Sequence, residues 1–516
     1  MSQTRTVLPY GSEWTPDLIQ RYDAEIGRVA ESFQLDCYAH LLEIITAEQM
    51  MDAYASIGMP LYYHHWSFGK HFLATERSYR RGQMGLAYEI VINSDPCVAY
   101  LMEENTMTMQ ALVIAHAAYG HNAFFKGNYL FRTWTAADAI IDYLVFARSF
   151  IAQCEERYGE DEVEQLLDAC HALRNLGVDR YRRPPRLSLM QERERQKERE
   201  AYLQSQVNEL WRTVPARRRS VGVGGDGNEA QRFPAEPEDN LLYFIEKNAP
   251  LLEPWQREIV RIVRKLSQYF LPQRQTQLMN EGWACFWHYT LLNRLYDEGA
   301  LEDGFMIEFL HAHSNVILQP GYNSSTYGGI NPYALGFAMW RDIKRICSAP
   351  SDEDRAFFPE LAGSDWRGAL DFAMRNYKDE SFIAQYLSPR LMREFHLFAV
   401  TDDDADERMR VDAIHDEDGY RVLRQALSDQ YNLGANEPCI QVWNVALEED
   451  RALTLRHFRR QRRPLNETLD GVLRQVASLW GFPVRLEEQD ESGQVRLLKE
   501  MRSERRHSYR PALSPE

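Results

Sequence analysis

Apolar side chains recur at helical intervals through most of the first 395 residues. Over 15–58, Leu18, Ile19, Tyr22, Ile26 and Val29 mark one stripe, with Thr15 as cap and Pro16 at the first helical position. ITAEQMMDAYASIGMP closes on Gly58 and Pro60, a helix stop, so 15–58 is predicted helical. LYYHHWSFGKHF, with His64, His65 and His71, is aromatic and irregular and predicts strand or loop. Tyr88–Ile92 (YEIVI) is short, rich in β-branched residues and closed by Asn93-Ser94-Asp95-Pro96, which predicts a strand. LMEENTMTMQALVIAHAAYGHNAFF predicts one long helix through Ala118 that ends near Gly120. Residues 135–177 predict two more amphipathic helices. The helical pattern resumes over 241–395, broken by QPGYNSSTYGGINPYALG, a loop of a length that often carries function. Asn331 and Pro332 then supply the cap and first position of a new helix.

From about residue 391 the period shortens to two. REFHLFAVTDDD, RMRVDAIHDE, CIQVWNVALEED, ALTLRHFRR, VRLEEQ and QVRLLKE predict strands, and GYRVLRQALSDQYN and NETLDGVLRQVASLWGF predict helices. This ββα–ββα–ββ order predicts a small domain of duplicated ββα units. Asp402, Asp403, Asp404 and Asp406 lack the spacing and glycine of a calcium loop and predict a solvated turn. Residues 186–240 are rich in charge, Gly and Pro, and predict a charged, partly disordered insertion. Its VGVGGDG lacks the flanking strand and helix that a phosphate loop requires. The expected fold class is therefore α+β. A mainly α-helical N-terminal domain with few short strands runs over 1–185 and 241–390, split by the 186–240 insertion. A small C-terminal α+β domain follows over 391–516.

Composition narrows the function classes. The chain has 516 residues, 44% hydrophobic and 12% aromatic, enough for large packed cores. Its 76 acidic against 59 basic residues give a formal charge of −17, which excludes a general nucleic-acid binder. No signal-peptide pattern opens the chain, and no run of about 18 apolar residues predicts a membrane span. Seven scattered cysteines that never form CxxC read as free thiols, and the expected location is the cytoplasm.

One stretch stands out chemically. Leu278–Tyr289, LMNEGWACFWHY, sets Glu281, Cys285 and His288 among Trp283, Phe286, Trp287 and Tyr289. On a helix, offsets of four and seven put the three polar side chains on one face. A carboxylate on so aromatic a segment is costly to bury without a partner.

YEIVINSDPCVAYLMEENTMTMQALVIAHAAYGHNAFF, NLLYFIEKNAPLLEPWQREI, LMNEGWACFWHY and INPYALGFAMWRDIKRI resemble the SpoVR family, the stage V sporulation protein R-like proteins, over residues of about 10–510. The resemblance implies a link to sporulation through the spore cortex and cell envelope, or to the stress response in bacteria that make no spores. It also implies two partners, a PrkA-type serine protein kinase and a von Willebrand-like domain protein. It implies no reaction, so the chemistry has to come from the residues.

HAAYGH supplies His116 and His121, and NEGWA supplies Glu281. This is loosely similar to the gluzincin zinc peptidases, in which two His of one helix and a Glu of a later helix bind the metal. His116, His121 and Glu281 are the expected ligands of a divalent metal, zinc first. The gluzincin histidines lie four apart, about 40° around a helix, whereas a spacing of five gives about 140°. Gly120 is expected to end the helix in a left-handed turn and let His121 swing back. No acid lies between the histidines, so a base must come from elsewhere: Glu89, Glu104 or His288. His288 and Glu104 are the expected catalytic residues, although on one straight helix Glu104 stands about 18 Å from His116. Glu308 and His311 form a single ExxH, where a di-iron site needs two. The aromatic surroundings of Cys285 favour a buried, inert thiol. The expected function is a zincin-like, metal-dependent hydrolase of a peptide or amide bond. The alternative is a non-catalytic scaffold or regulatory partner of the kinase, with the same residues forming a buried polar network.

Overall fold

A computed structural model describes residues 7–56, 59, 61–68, 70, 73, 89–181, 233–234, 236–321, 323–401, 410–413, 417–459, 465 and 468–502. Gly58, Pro60, His71, the aspartates from 402 to 406 and nearly all of 186–240 lie outside them. The chain forms two compact units. One contains Met1–Ala172, Glu253–Cys439 and Arg460–Leu465; the other contains Leu173–Leu252, Ile440–Arg459 and Asn466–Glu516. This division is not linear along the chain. Residues 391–439, expected in a C-terminal domain, belong to the larger unit, and 241–252 to the smaller.

In the larger unit, strands β1 (His40–Ile45), β2 (Glu89–Ile92) and β3 (Cys97–Met102) form a sheet in the order β1-β3-β2. Central β3 pairs parallel with β1 and antiparallel with β2. β2 matches the strand expected at YEIVI. β1 corrects the expectation of helix throughout 15–58, and β3, which was not foreseen, takes the first two residues of the helix expected from Leu101. Both are six residues long, too short for periodicity to separate strand from helix; every residue of β3 is apolar and buried, whereas β1 carries His40 and Glu43. Glu103 and Glu104 consequently lie in an exposed turn after β3, not on a helix with His116.

Helices make up the rest of this unit's core. In Pro16–Ser32 the hydroxyl of Thr15 accepts from Leu18 N, and Ile19, Tyr22, Ile26 and Val29 are buried as the stripe requires. Thr106 caps Met107–Val113, which runs into a π-helix, Ile114–His121, and returns to α-helix at Asn122–Gly127. Gln277–Asp297 packs between this segment and Pro332–Ser348, the latter capped by Asn331 with Pro332 at its first position. Glycines permit the contact: a Cβ on Gly336 would stand 2.2 Å from Leu278 O, and one on Gly282 would stand 2.2 Å from Gly336 C. The start of Gln277–Asp297 is capped from afar, because the Asp379 carboxylate accepts from Leu278 N and Met279 N, each at 2.9 Å.

The first expected ββα unit also lies in the larger unit, as β4 (Ala399–Thr401), β5 (Arg410–Ala413) and helix Glu417–Tyr431. The second builds the sheet of the smaller unit, β6 (Cys439–Val445), β7 (Leu453–Phe458), β8 (Val484–Gln489) and β9 (Val495–Met501), in that order. Helix Leu469–Trp480 connects parallel β7 and β8. The two ββα units thus occupy separate sheets, and the fold is mainly helical with small α+β elements, as the sequence indicated. Among the described residues no helix is long and apolar enough to cross a membrane.

Candidate metal centre

The π-helix resolves the histidine spacing. Its hydrogen bonds run from i to i+5 and its turn is wider than an α-turn, so side chains five apart come back to the same face. His116 and His121 therefore face a common space, with ring centroids 4.7 Å apart and planes at 88°. Gly120 is not in a left-handed turn, which corrects the expected role of that residue. It is needed for proximity, since a Cβ there would stand 2.7 Å from Ala284 Cα on the facing helix.

Two carboxylates meet the imidazoles. Glu281 comes from the Gln277–Asp297 helix and Glu89 from the first residue of β2. His116 Nε2 lies 3.1 Å from Glu89 Oε1 and 3.9 Å from Glu281 Oε2. His121 Nε2 lies 3.8 Å from Glu89 Oε1 and 3.4 Å from Glu281 Oε2. Oε2 of Glu89 and Oε2 of Glu281 are buried and accept no hydrogen bond among the described residues. The carboxylate side chains keep 18% and 19% of their surface, against 5% for each imidazole, so the space is reached from the carboxylate side.

Behind these four groups stand residues that orient them. His121 Nδ1 is 2.9 Å from Asn280 Oδ1, which can only accept, so Nδ1 carries a proton and Nε2 is the nitrogen that faces the carboxylates. His116 Nδ1 is 2.8 Å from His288 Nδ1, and His288 Nε2 is 2.7 Å from His313 Nδ1. When each ring in this chain donates to the next, away from the site, His116 Nε2 is left with its lone pair free. Both outer rings remain neutral. Burial, then the neighbouring imidazoles, holds His288 well below its ordinary value; burial, then Arg341, lowers His313 to about 4.

The acid side is polarised. Burial would raise Glu281, but His121 and His116 outweigh it and hold the carboxyl well below its usual range. Burial raises Glu89, with the two histidines opposing. Burial would lower His121, yet Glu281 above all lifts it to about 9. The Glu281 charge, then burial, pushes the Tyr333 phenol up.

The expected ligands His116, His121 and Glu281 are thus brought together. His288 touches the far nitrogen of His116 rather than the open space. Cys285 is fully buried within ligand distance of His116 and His288, and burial pushes its thiol far up. Glu104 is elsewhere, its carboxylate accepting from Ala47 N. Glu308 accepts from Thr106 Oγ1 and His311 is exposed, so ExxH does not join the cluster. His65 is buried in a separate contact with Asp168, and His64 lies beside Arg148. Glu89 was visible in the sequence only as a candidate base. Tyr333 was not singled out; its position just after the Asn331-Pro332 helix start was the available signal.

Ligand atoms about 2.0–2.2 Å from a tetrahedral ion stand roughly 3.3–3.6 Å from one another. The N···O separations from the two imidazoles are 3.1 and 3.8 Å to Glu89 and 3.9 and 3.4 Å to Glu281, so either carboxylate stands near that edge, and Glu89, His116 and His121 offer ligand atoms within 4.8 Å of one another. Imidazole and carboxylate together suit zinc and the neighbouring first-row divalent ions. The residues can therefore hold a metal.

The family model described as SpoVR like protein matches residues 13–436, and the SpoVR-like C-terminal domain matches 438–491. The chain is 63% identical over 499 residues to the uncharacterized protein YcgB of Escherichia coli (strain K12), covering 97% of each. No solved structure matches it. Two family models that together run through nearly the whole chain, and a relative matched end to end, show that this chain belongs to the SpoVR family.

Proposed function

We propose that the protein is a metal-dependent hydrolase of peptide or amide bonds, with His116, His121 and Glu281 holding a divalent cation, zinc first. The observation that carries this is the set of four N···O separations of 3.1–3.9 Å between two imidazoles and two carboxylates, with orphaned buried oxygens on both acids. A bound divalent metal would supply a water acidic near neutrality and polarise a carbonyl. Glu89 is the general base. Its Oε1 stands 3.1 Å from His116 Nε2, beside the three ligands rather than among them, and burial raises its proton affinity. It takes the place of the acid that HExxH carries between its histidines. Tyr333 steadies Glu281, Asn280 fixes the tautomer of His121, and His288 with His313 fixes that of His116. In this reading His288 is a positioning residue and Glu104 has no part in the chemistry.

The test is elemental analysis of the full chain purified without a histidine tag and loaded in turn with zinc, manganese, cobalt and ferrous iron. Wild type should retain one ion per chain, and His121→Ala and Glu281→Gln should lose it. Glu89→Gln should keep the metal but lose cleavage of a mixed peptide and muropeptide-amide pool. Absence of stoichiometric metal under every loading condition sinks the proposal.

A further inference from the structure

A cleft of about 1640 Å³ in the larger unit lies among the 317–330 loop and the helices Pro332–Ser348, Pro389–Glu394 and Glu417–Tyr431. It exceeds the ~300–1,000 Å³ of ordinary small-molecule sites, so it suits a segment of polymer. Its charges are unevenly matched. Arg345 is occupied, with bonds of 2.6–2.7 Å to Asp342 and Asp354. Arg341 and Arg390, both exposed, meet no carboxylate among the described residues. The Arg341 guanidinium lies over the rings of Phe337 and Tyr289, 5.3 Å and 5.9 Å from their centroids. An aromatic bed restrains a guanidinium without neutralising it. Two arginines that meet no carboxylate among the described residues, in one cleft of a chain with net charge −17, form a local site for an anionic group. Apolar Phe337 and the ring of Tyr431 line the same space, and Glu394 at its wall repels a continuous polyanion.

The cleft is tied to the metal centre through one helix. Tyr333 reaches Glu281, while Phe337 and Arg341, one and two turns on, face the cleft. Phe337 also packs on His313, the end of the imidazole chain, with centroids 4.8 Å apart. Eight residues of helix span about 12 Å, the reach of roughly three to four extended peptide residues. We infer that the cleft binds an acidic peptide segment of the substrate, its carboxylate on Arg341 and Arg390, three to four residues from the bond presented to the cluster. This rests on the hydrolase reading, and the experiment separates the two.

The probes are N-terminally fluorescein-labelled Ala-Ala-Phe-Glu, its Gln counterpart and the C-terminal amide of each. Binding to the full-length protein is followed by anisotropy with chelator present, so that nothing is cleaved. The acidic peptide should bind, and removing the recognised carboxylate should weaken it at least tenfold. Arg341→Gln and Arg390→Gln should each weaken it about tenfold, and Arg341→Lys should restore part of the loss. No binding at millimolar protein, equal binding of the acidic peptide and the Gln amide, wild-type affinity in both Gln variants, or displacement by inorganic phosphate as readily as by unlabelled peptide each overturn the inference. Binding without cleavage once metal is restored overturns the hydrolase reading and leaves the cleft assignment standing. Cleavage without carboxylate-dependent binding does the reverse.

Discussion

Gly120→Ala tests whether close helix packing, rather than the backbone freedom of glycine, shapes the candidate site. The added Cβ would stand 2.7 Å from Ala284 Cα, 3.0 Å from Ala284 Cβ and 3.3 Å from Ala284 O. Carbon contacts normally sit at ~3.5–4.0 Å, so the two helices must part by about 1 Å. Overpacking of this kind costs about 1–3 kcal/mol, and replacing a helical glycine by alanine returns about 1 kcal/mol. The net loss of stability is therefore on the order of 0–2 kcal/mol. The effect at the site is larger, because His121 adjoins Gly120 and Glu281 precedes Ala284 by less than a turn. A displacement of about 1 Å takes the 3.4 Å separation of His121 Nε2 and Glu281 Oε2 past the tetrahedral edge of roughly 3.3–3.6 Å. Metal affinity should fall ~10–100-fold, as it does when groups behind a ligand are lost. Competition against a chromophoric chelator reads the affinity, and urea unfolding reads the stability. Wild-type affinity in a folded Gly120→Ala protein would refute the reasoning, as would a rise in stability.

Two further outcomes follow from the same geometry. Metal affinity should rise with pH. Glu281 keeps His121 protonated up to about 9, a ligating imidazole is neutral, and so binding below that value expels a proton. Kd should then strengthen by up to about tenfold per pH unit between roughly pH 6 and 8, and a flat profile by calorimetry would contradict the assignment. Asp379→Ala removes the acceptor for Leu278 N and Met279 N in a buried setting and should lower the urea midpoint by the equivalent of about 2 kcal/mol. Asp379→Asn, which keeps one acceptor oxygen, should lose less, and equal losses would remove the capping argument.

Much of the helical framework was legible because it rests on local rules. The stripe of Pro16–Ser32, the strand at Glu89–Ile92 and the Asn331-Pro332 helix start each follow from a pattern and a cap. Glu281, Cys285 and His288 share a face as their offsets require, and each stands near His116. What escaped was decided by neighbours distant in sequence. Cys97–Met102 is apolar throughout, and only its pairing with both β1 and β2 makes it a central strand. The candidate cluster likewise depends on β2, which brings Glu89 to a helix pair from another part of the chain.

The spacing of HAAYGH carries the last step. Against an α-helix its two histidines diverge by about 140°, and the simplest remedy is to break the helix at glycine. The chain instead winds more loosely for eight residues, Ile114–His121, and continues as helix on both sides. A π-turn has poorer intrinsic stability than an α-turn, and such turns concentrate at functional sites. This one brings both Nε2 atoms to the same pair of carboxylates, while Gly120 keeps the widened turn against Ala284. A histidine spacing that disagrees with the α-helical period was thus itself the mark of the candidate site. Its meaning depended on the facing helix, which no local window of sequence contains.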